Sequence, residues 1–405
     1  MFITNGVNMI SIRRLYKIGP GPSSSHTMGV KNAVSYVMEN YKEVDYVEMT
    51  FYGSLAKTGK GHLSDYIANL SFKDLNHKII FDKKTATSHP NTMLFKLYKN
   101  NLLIDSVYIV SIGGGLIKIN DHDEENNINI YPHSTFDEIK KYCHINHISL
   151  VDYILKFEDE DILNYMDLIY HKMMKSIDNG LIKEGPLPGL LKVVRKAHEI
   201  YTSKVENETL PMHEKRLISA YAFAVAEENA SGQEIVTAPT CGSSGVLPSI
   251  VRYYSSSYSH EEILKGLLVA GLIGVLVVEN GSISGAECGC QAEIGTATSM
   301  ASAFIAYLEG LDILGIERAA EIAMEHSLGL TCDPIQGYVQ IPCIERNAMG
   351  ALKALSSATL AKFMGTSNSK ISFDLVIKTM KETGIDIAKG YKETSKDGLA
   401  KLYKE

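Results

Sequence analysis

Val44-Asp-Tyr-Val-Glu-Met-Thr-Phe-Tyr52, followed at once by Gly53-Ser-Leu-Ala-Lys-Thr-Gly-Lys-Gly-His62, decides the fold class. Val47, Met49 and Phe51 alternate with Glu48 and Thr50, the pattern of a strand with one buried face. The glycine-rich turn then opens a helix over His62–Leu70. Lys78–Phe81, Val107–Val110 and Leu116–Ile119 read as further strands, the last after three glycines at 113–115, and Met28–Tyr41 as a further helix. This first part of the chain is expected to be a small α/β domain. The Asn-, Asp- and Glu-rich run Asn120–Asn129 is expected to be a solvated surface loop.

Beyond Ser149 the strand signal fades. Ser149 and Asp152 make a helix start, and Asp161–Ser176 continues at helical spacing. Asn179–Gly189, with Gly185-Pro-Leu-Pro-Gly189, is a turn-rich linker. Helices are expected at Lys192–Tyr201, His213–Asn229, Glu261–Val278, Thr296–Leu311, Ile316–Ser327 and Ala348–Phe363. Ser259 and Glu262 form a capping box for the third. The fold class is therefore α+β, with an α/β domain over 1–145, a helical linker over 146–190 and an all-helical domain over 191–405.

A chain of 405 residues with 45% hydrophobic and 21% charged residues is an ordinary globular protein long enough for two domains. A net charge of −7 gives no basic surface for nucleic acid or anionic lipid. The most apolar run, Gly266–Val278, is shorter than the ~20 residues a membrane span needs. Met1–Ile10 lacks the features of a signal peptide, so a cytoplasmic location with reduced thiols is expected.

Several polar turns offer chemistry. Ile18-Gly-Pro-Gly-Pro-Ser-Ser-Ser-His-Thr27 is a stiff loop entering a helix, and Ser23, Ser24, Ser25, His26 and Thr27 could hold a carboxylate or phosphate there. A turn with one N-cap would serve the backbone alone. The Gly53–His62 turn departs from a phosphate loop because Gly61 follows Lys60. His62 is a candidate proton-transfer group, although an isolated histidine is more often a surface residue. His89-Pro-Asn91 is a third polar turn, and Thr237-Ala-Pro-Thr240-Cys241-Gly-Ser-Ser-Gly245 a fourth, ahead of an apolar helix. Cys241 reads as a buried, inert thiol.

Cys290, Cys332 and Cys343 lie in turn-like contexts, Gly-Cys-Gln, Thr-Cys-Asp-Pro and Pro-Cys-Ile-Glu-Arg-Asn. Three readings stand side by side. Buried structural thiols need no partner. A zinc site would draw on Cys288 as well, but lacks paired Cys-x2–4-Cys knuckles. Ligation of an iron–sulfur cluster suits rigid loop cysteines at the edge of a helical scaffold.

Taken together, Gly19–Thr27, Tyr52–His62, His89–Asn91, Ser111–Gly115, Leu187–Val193, Glu227–Gly245, Ser282–Gly295, Gly329–Pro334, Pro342–Gly350 and Tyr391–Ser395 resemble the iron–sulfur-dependent L-serine dehydratases of bacteria. The resemblance covers nearly the whole chain. It implies an N-terminal α/β "beta" domain fused to a helical "alpha" domain, and a homodimer. It implies a [4Fe–4S] cluster on Cys290, Cys332 and Cys343, with one iron left for L-serine, and His62 as the base at Cα. Ser23, Ser24, Ser25, His26, Thr27, His89, Asn91 and Thr240 would bind the substrate. Members often carry a C-terminal cysteine, and Lys401-Leu-Tyr-Lys-Glu405 has none. Cys288 stands where an apolar residue is usual, and Cys241 where asparagine is. Alternatives are a related cluster lyase acting on L-cysteine or L-threonine, a pyridoxal-phosphate dehydratase, and an amino-acid sensor with structural thiols. The pyridoxal-phosphate enzyme would need a cofactor lysine and a phosphate loop, and neither stands out.

Overall fold

A computed structural model describes residues 9–120, 122–123, 129–365 and 369–404. Contacts divide the chain into two compact units, one of Gly19–Asn127 with Asn229–Glu234, the other of Met1–Ile18, Ile128–Glu228 and Ile235–Glu405. These limits differ from the division at 145 read from the sequence. Met9–Ile10 pairs antiparallel with Asn129–Tyr131, and both belong to the helical unit. There Ser11 and Tyr131 each donate a hydrogen bond of 2.6 Å to the buried Glu158 carboxylate. The class is α+β, as expected.

The first unit carries a six-stranded sheet: β1 (Tyr46–Phe51), β2 (Asn76–Phe81), β3 (Thr92–Lys99), β4 (Leu102–Gly113), β5 (Leu116–Ile119) and β6 (His122–Asp123), in the order β2-β1-β3-β4-β5-β6. Only β1 and β2 are parallel. A parallel pair needs a crossover, and here it contains the helices Gly53–Thr58 and Ser64–Phe72. Val47, Met49 and Phe51 join Met93, Phe95, Leu97, Val107 and Ile109 in one core with Val30, Val34 and Val37 of the Gly29–Asn40 helix. No strand was expected at β3. Its Met-Leu-Phe run breaks strict alternation, and its pairing with β1 and β4 supplies what local pattern does not. Of the expected loop 120–129, positions 121 and 124–128 lie outside the described residues, as do 1–8 of the N-terminal stretch. His122–Asp123 pairs with β5, and Asn129 begins a strand.

In the second unit the His260–Asn280 helix is buried from Ile263 to Val277, apart from Lys265, and starts in the expected Ser259–Glu262 capping box. Its small residues admit a close neighbour. A Cβ on Gly266 would lie 2.8 Å from the Phe304 ring of the Thr296–Leu308 helix. Among the described residues no helix is long and apolar enough to cross a membrane. The helix expected at Lys192–Tyr201 begins only at Ala197. Leu187 N–H bonds Val193 O, and Arg195 N–H bonds Gly185 O, so the preceding residues form a turn. The Glu227 carboxylate then accepts the Lys196 and Ala197 amides that open the helix. Phe136–Asn146 and Phe373–Asp386 are helices that were not anticipated.

Candidate active site

The residues singled out from sequence fall into two sets, one in each unit. In the sheet unit, Ser23 caps a π-helical turn over Ser24–Met28 that runs into the Gly29–Asn40 helix. The turn buries His26 and Thr27. Thr27 Oγ1 donates to the carbonyls of Pro20 and Ser23. His26 is ringed by hydroxyls: Thr58 Oγ1 at 3.0 Å and Ser54 Oγ at 3.3 Å from Nε2, and Ser23 Oγ at 3.4 Å and Ser25 Oγ at 3.5 Å from Nδ1. Its ring stacks on His62 with centroids 4.6 Å apart.

His62 leaves the crossover after β1 and is itself buried. Its Nδ1 lies 3.1 Å from Thr58 O. A carbonyl only accepts, so Nδ1 carries the proton and Nε2 keeps a free lone pair. Burial holds the His62 pKa below its ordinary value. Burial and then the neighbouring His62 bring His26 down to about 3. Both rings are neutral at neutral pH.

The His89–Asn91 turn packs on the same crossover. Ser54 N–H bonds Pro90 O at 2.6 Å, and Asn91 N–H bonds His89 Nδ1 at 3.1 Å. Asn91 Oδ1 is buried with no hydrogen-bond partner among the described residues, and so is Asn229 Oδ1. Asn229 lies against the Gly21 backbone, whose Cβ position is 2.1 Å from that oxygen. The structure thus gathers Ser23 and Ser25, with Ser54 and Thr58, at the His26–His62 pair, while the Thr27 hydroxyl is spent on the Pro20 and Ser23 carbonyls. No side-chain hydrogen bond is described for Ser24.

In the helical unit three separate segments bring the cysteines together. Cys290 sits between the short helix Gly285–Cys288 and the turn entering Thr296–Leu308. Gly289 has φ +74°, and its Cβ position lies 2.7 Å from Leu330 O, a close approach open only to glycine. Gln291 ties the same two segments, N–H to Leu330 O at 3.2 Å and Oε1 from Gly329 N–H at 2.8 Å. Cys332 forms a two-bond bridge with the 391–393 segment: its N–H donates to Tyr391 O, and its carbonyl accepts from Glu393 N–H, each at 2.7 Å. Cys343 begins the Cys343–Met364 helix. Asn347, one turn on, donates to Cys343 O and Gly242 O and accepts from Gly245 N–H, each at 2.8 Å. It thereby fixes the 240–245 turn to the Cys343 helix.

The cysteines are free thiols. Burial pushes Cys290 up to about 11 and raises Cys332 and Cys343 further, with Cys290 and Glu293 next among the causes for Cys343 and Glu293 and Cys290 for Cys332. Arg346 works the other way. Its positive charge favours the Cys290 thiolate, while its Nη1 donates to Thr331 O at 2.5 Å. Glu293 was not anticipated. Its Oε1 accepts from Thr240 Oγ1 at 2.7 Å, and burial followed by nearby Glu393 raises its carboxyl to about 7. The Gly285 Cβ position is 2.7 Å from Glu293 Oε2 and 3.2 Å from Cys332 Sγ, so the carboxylate borders the thiols. Its sequence signal, one acid in the Cys290–Gly295 run, is faint. Arg346 stood inside a quoted motif without a role.

Among the described residues, no three His, Cys, Asp or Glu ligand atoms lie within 4.8 Å of one another except those of Asp167, His171 and His260. A single zinc at ~2.3 Å from each sulfur would hold thiolates nearer than that. Three thiols, Cys290 and Cys332 buried and Cys343 half-buried, more widely spaced and faced by a guanidinium, fit a multinuclear centre better than one ion. Metal ligation also takes cysteines as thiolates, removing the burial penalty on their ionisation. Cys288 does not share this environment. Its Sγ lies 2.5 Å from the Cβ position of Gly384 in the Phe373–Asp386 helix, and its perturbing neighbours are Ser282, Glu287, Lys392 and Lys381. Cys241 is buried beside Glu293, which raises its pKa after burial itself.

Residues 35–400 match the family model described as serine dehydratase alpha chain. An L-serine dehydratase of Helicobacter pylori (strain ATCC 700392 / 26695) is 41% identical, across 97% of this chain and 99% of its own. One from Haemophilus influenzae is 37% identical and L-serine dehydratase 1 of Escherichia coli K12 36%, each across 97% of this chain and 99% of its own. With the cysteine turns, His62 and the Glu293 turn all within residues 35–400, this chain belongs to the serine dehydratase family.

Proposed function

We propose that the protein is an L-serine dehydratase, deaminating L-serine to pyruvate and ammonia. The observation that supports this most is the convergence of Cys290, Cys332 and Cys343, from three separate segments, beside the buried Glu293 carboxylate. In this reading the three thiolates hold a [4Fe–4S] cluster, the helical unit is the alpha domain and the sheet unit the beta domain. A cluster with three protein ligands supplies, when bound, a Lewis-acidic iron for the substrate's carboxylate and hydroxyl oxygens.

The other roles fall to side chains. Glu293, held by Thr240, receives the substrate ammonium, the one cationic group of L-serine, in a charge-assisted hydrogen bond. Arg346 offsets negative charge among the thiolates. His62 Nε2, unprotonated and opposite a fixed Nδ1–H, accepts the Cα proton. Burial, by keeping the ring neutral, keeps it competent as a base at neutral pH. His26 and the hydroxyls of Ser23, Ser25, Ser54 and Thr58 hold the base in place. Ser24, Thr27 and His89 complete the substrate-binding turns. Asn91 Oδ1, a buried acceptor with no partner among the described residues, suits a substrate N–H or O–H. Departure of the Cα proton and the β-hydroxide gives aminoacrylate, which tautomerises and hydrolyses to pyruvate and ammonia.

A homodimer in the cytoplasm completes the proposal, where reducing conditions keep the thiols available. Pyruvate release from L-serine by anaerobically purified protein, before and after stripping with an iron chelator, tests it. Turnover that the chelator abolishes and iron with sulfide restores is expected. Undiminished turnover in stripped protein would contradict the iron–sulfur reading.

A further inference from the structure

Asp167, His171 and His260 stand apart from the cysteines and serve neither core nor mechanism. Asp167 and His171 lie four residues apart on one face of the Ile162–Leu181 helix, and His260 is the first residue of His260–Asn280. Asp167 Oδ1 is 2.6 Å from His260 Nε2 and 3.3 Å from His171 Nε2. Tyr170 sets its ring edge-on to both imidazoles, 4.8 Å from His260 and 5.3 Å from His171. All three ligand atoms lie within 4.8 Å of one another.

We infer that this cluster binds a divalent transition-metal cation, Zn²⁺ being the best match, and that the cation fastens the Ile162–Leu181 helix to the start of His260–Asn280. Donors around a tetrahedral zinc, at ~2.0–2.1 Å from the metal, stand about 3.3 Å apart. The His171–Asp167 pair has that spacing. The His260–Asp167 pair must open by well under 1 Å, and side chains 42–66% exposed have that freedom. Two imidazoles and one carboxylate select a zinc-like ion over magnesium, which takes oxygen ligands and keeps its waters. On binding, each imidazole turns its Nε2 lone pair to the cation and carries its one ring proton on Nδ1, reached by exchange with water, and a water molecule fills the fourth position. The chain of contacts makes this a structural tie, since one ion bridges two helices.

Calorimetric titration of ZnCl2 into the full chain, against the His171→Ala/His260→Ala variant with the same six cysteines, tests it. The variant should take up one zinc fewer per chain and lose the zinc-dependent rise in melting temperature, while magnesium raises it in neither. If the double variant does not fold, His171→Ala alone should weaken this zinc at least tenfold. Equal zinc uptake by wild type and variant, or a zinc-dependent stabilisation that survives the substitutions, would overturn the assignment.

Discussion

Glu293→Gln separates a functional carboxylate from a structural one, because the two roles predict opposite signs. The amide keeps the shape of the side chain and an oxygen to accept the 2.7 Å bond from Thr240 Oγ1, so the 240–245 turn and its tie through Asn347 remain. What is lost is a negative charge. A hydrogen bond to a charged partner contributes about 1.5–3 kcal/mol, which at ~1.4 kcal/mol per decade is a loss of roughly 10- to 150-fold in kcat/KM for L-serine. Stability should move the other way. Burial and Glu393 raise the Glu293 pKa above its ordinary value, so the folded state binds a proton more tightly than the unfolded one. Stability from this group is full below the unfolded pKa of 4.5 and declines as pH rises through about 7. At mildly alkaline pH the protein free of metal should therefore melt higher as Glu293→Gln than as wild type. The assay is pyruvate release at several L-serine concentrations, with iron content measured on the same samples and melting followed on stripped protein. A kcat/KM within twofold of wild type at equal iron content would refute the ammonium role. A lower melting temperature would refute the account of the buried carboxyl.

Acid should act on the sheet unit through the histidine pair. Both folded pKa values lie below the ordinary 6.5, His26 at about 3. Stability from the neutral rings is full above 6.5 and is lost as pH falls towards 3, at up to ~1.4 kcal/mol per pH unit per ring. Urea midpoints measured over that window should fall less steeply in His26→Asn, and an unchanged slope would remove the pair as the cause. Gly384→Ala would place a methyl 2.5 Å from Cys288 Sγ and 2.8 Å from its Cα. Overpacking of that kind destabilises by about 1–3 kcal/mol. Because the Cys288 helix leads directly to Cys290, iron content should fall with the melting temperature. An unaltered melt would show that this contact relaxes freely.

The fold was legible where one segment carries its own pattern. Val47, Met49 and Phe51 announced β1, and Ser259 with Glu262 announced the start of the buried helix, because alternation and capping are local. Thr92–Lys99 was not legible, since its strand state is fixed by two partners distant in sequence. Lys192–Lys196 misled for the opposite reason: its composition suits a helix, and Glu227 sets the start at Ala197. At the site, Ser23, His26, Thr27 and His62 stood out through unusual turns, and the cysteines through their contexts. Glu293 and Arg346 did not. A single acid in an apolar run or one arginine in a helix acquires meaning only when folding sets it against a thiol. The same limit applied to Cys288, whose packing on Gly384 no spacing foretells.

The central claim is that Cys290, Cys332 and Cys343, and not Cys288, hold an iron–sulfur centre on which L-serine deamination depends. Iron and acid-labile sulfide should be counted per chain after anaerobic purification of wild type, Cys332→Ala and Cys288→Ala, with pyruvate release measured on the same samples. About four of each, with activity, are expected in wild type and Cys288→Ala, and loss of all three quantities in Cys332→Ala. Deamination of L-serine by iron-free Cys332→Ala would contradict the account.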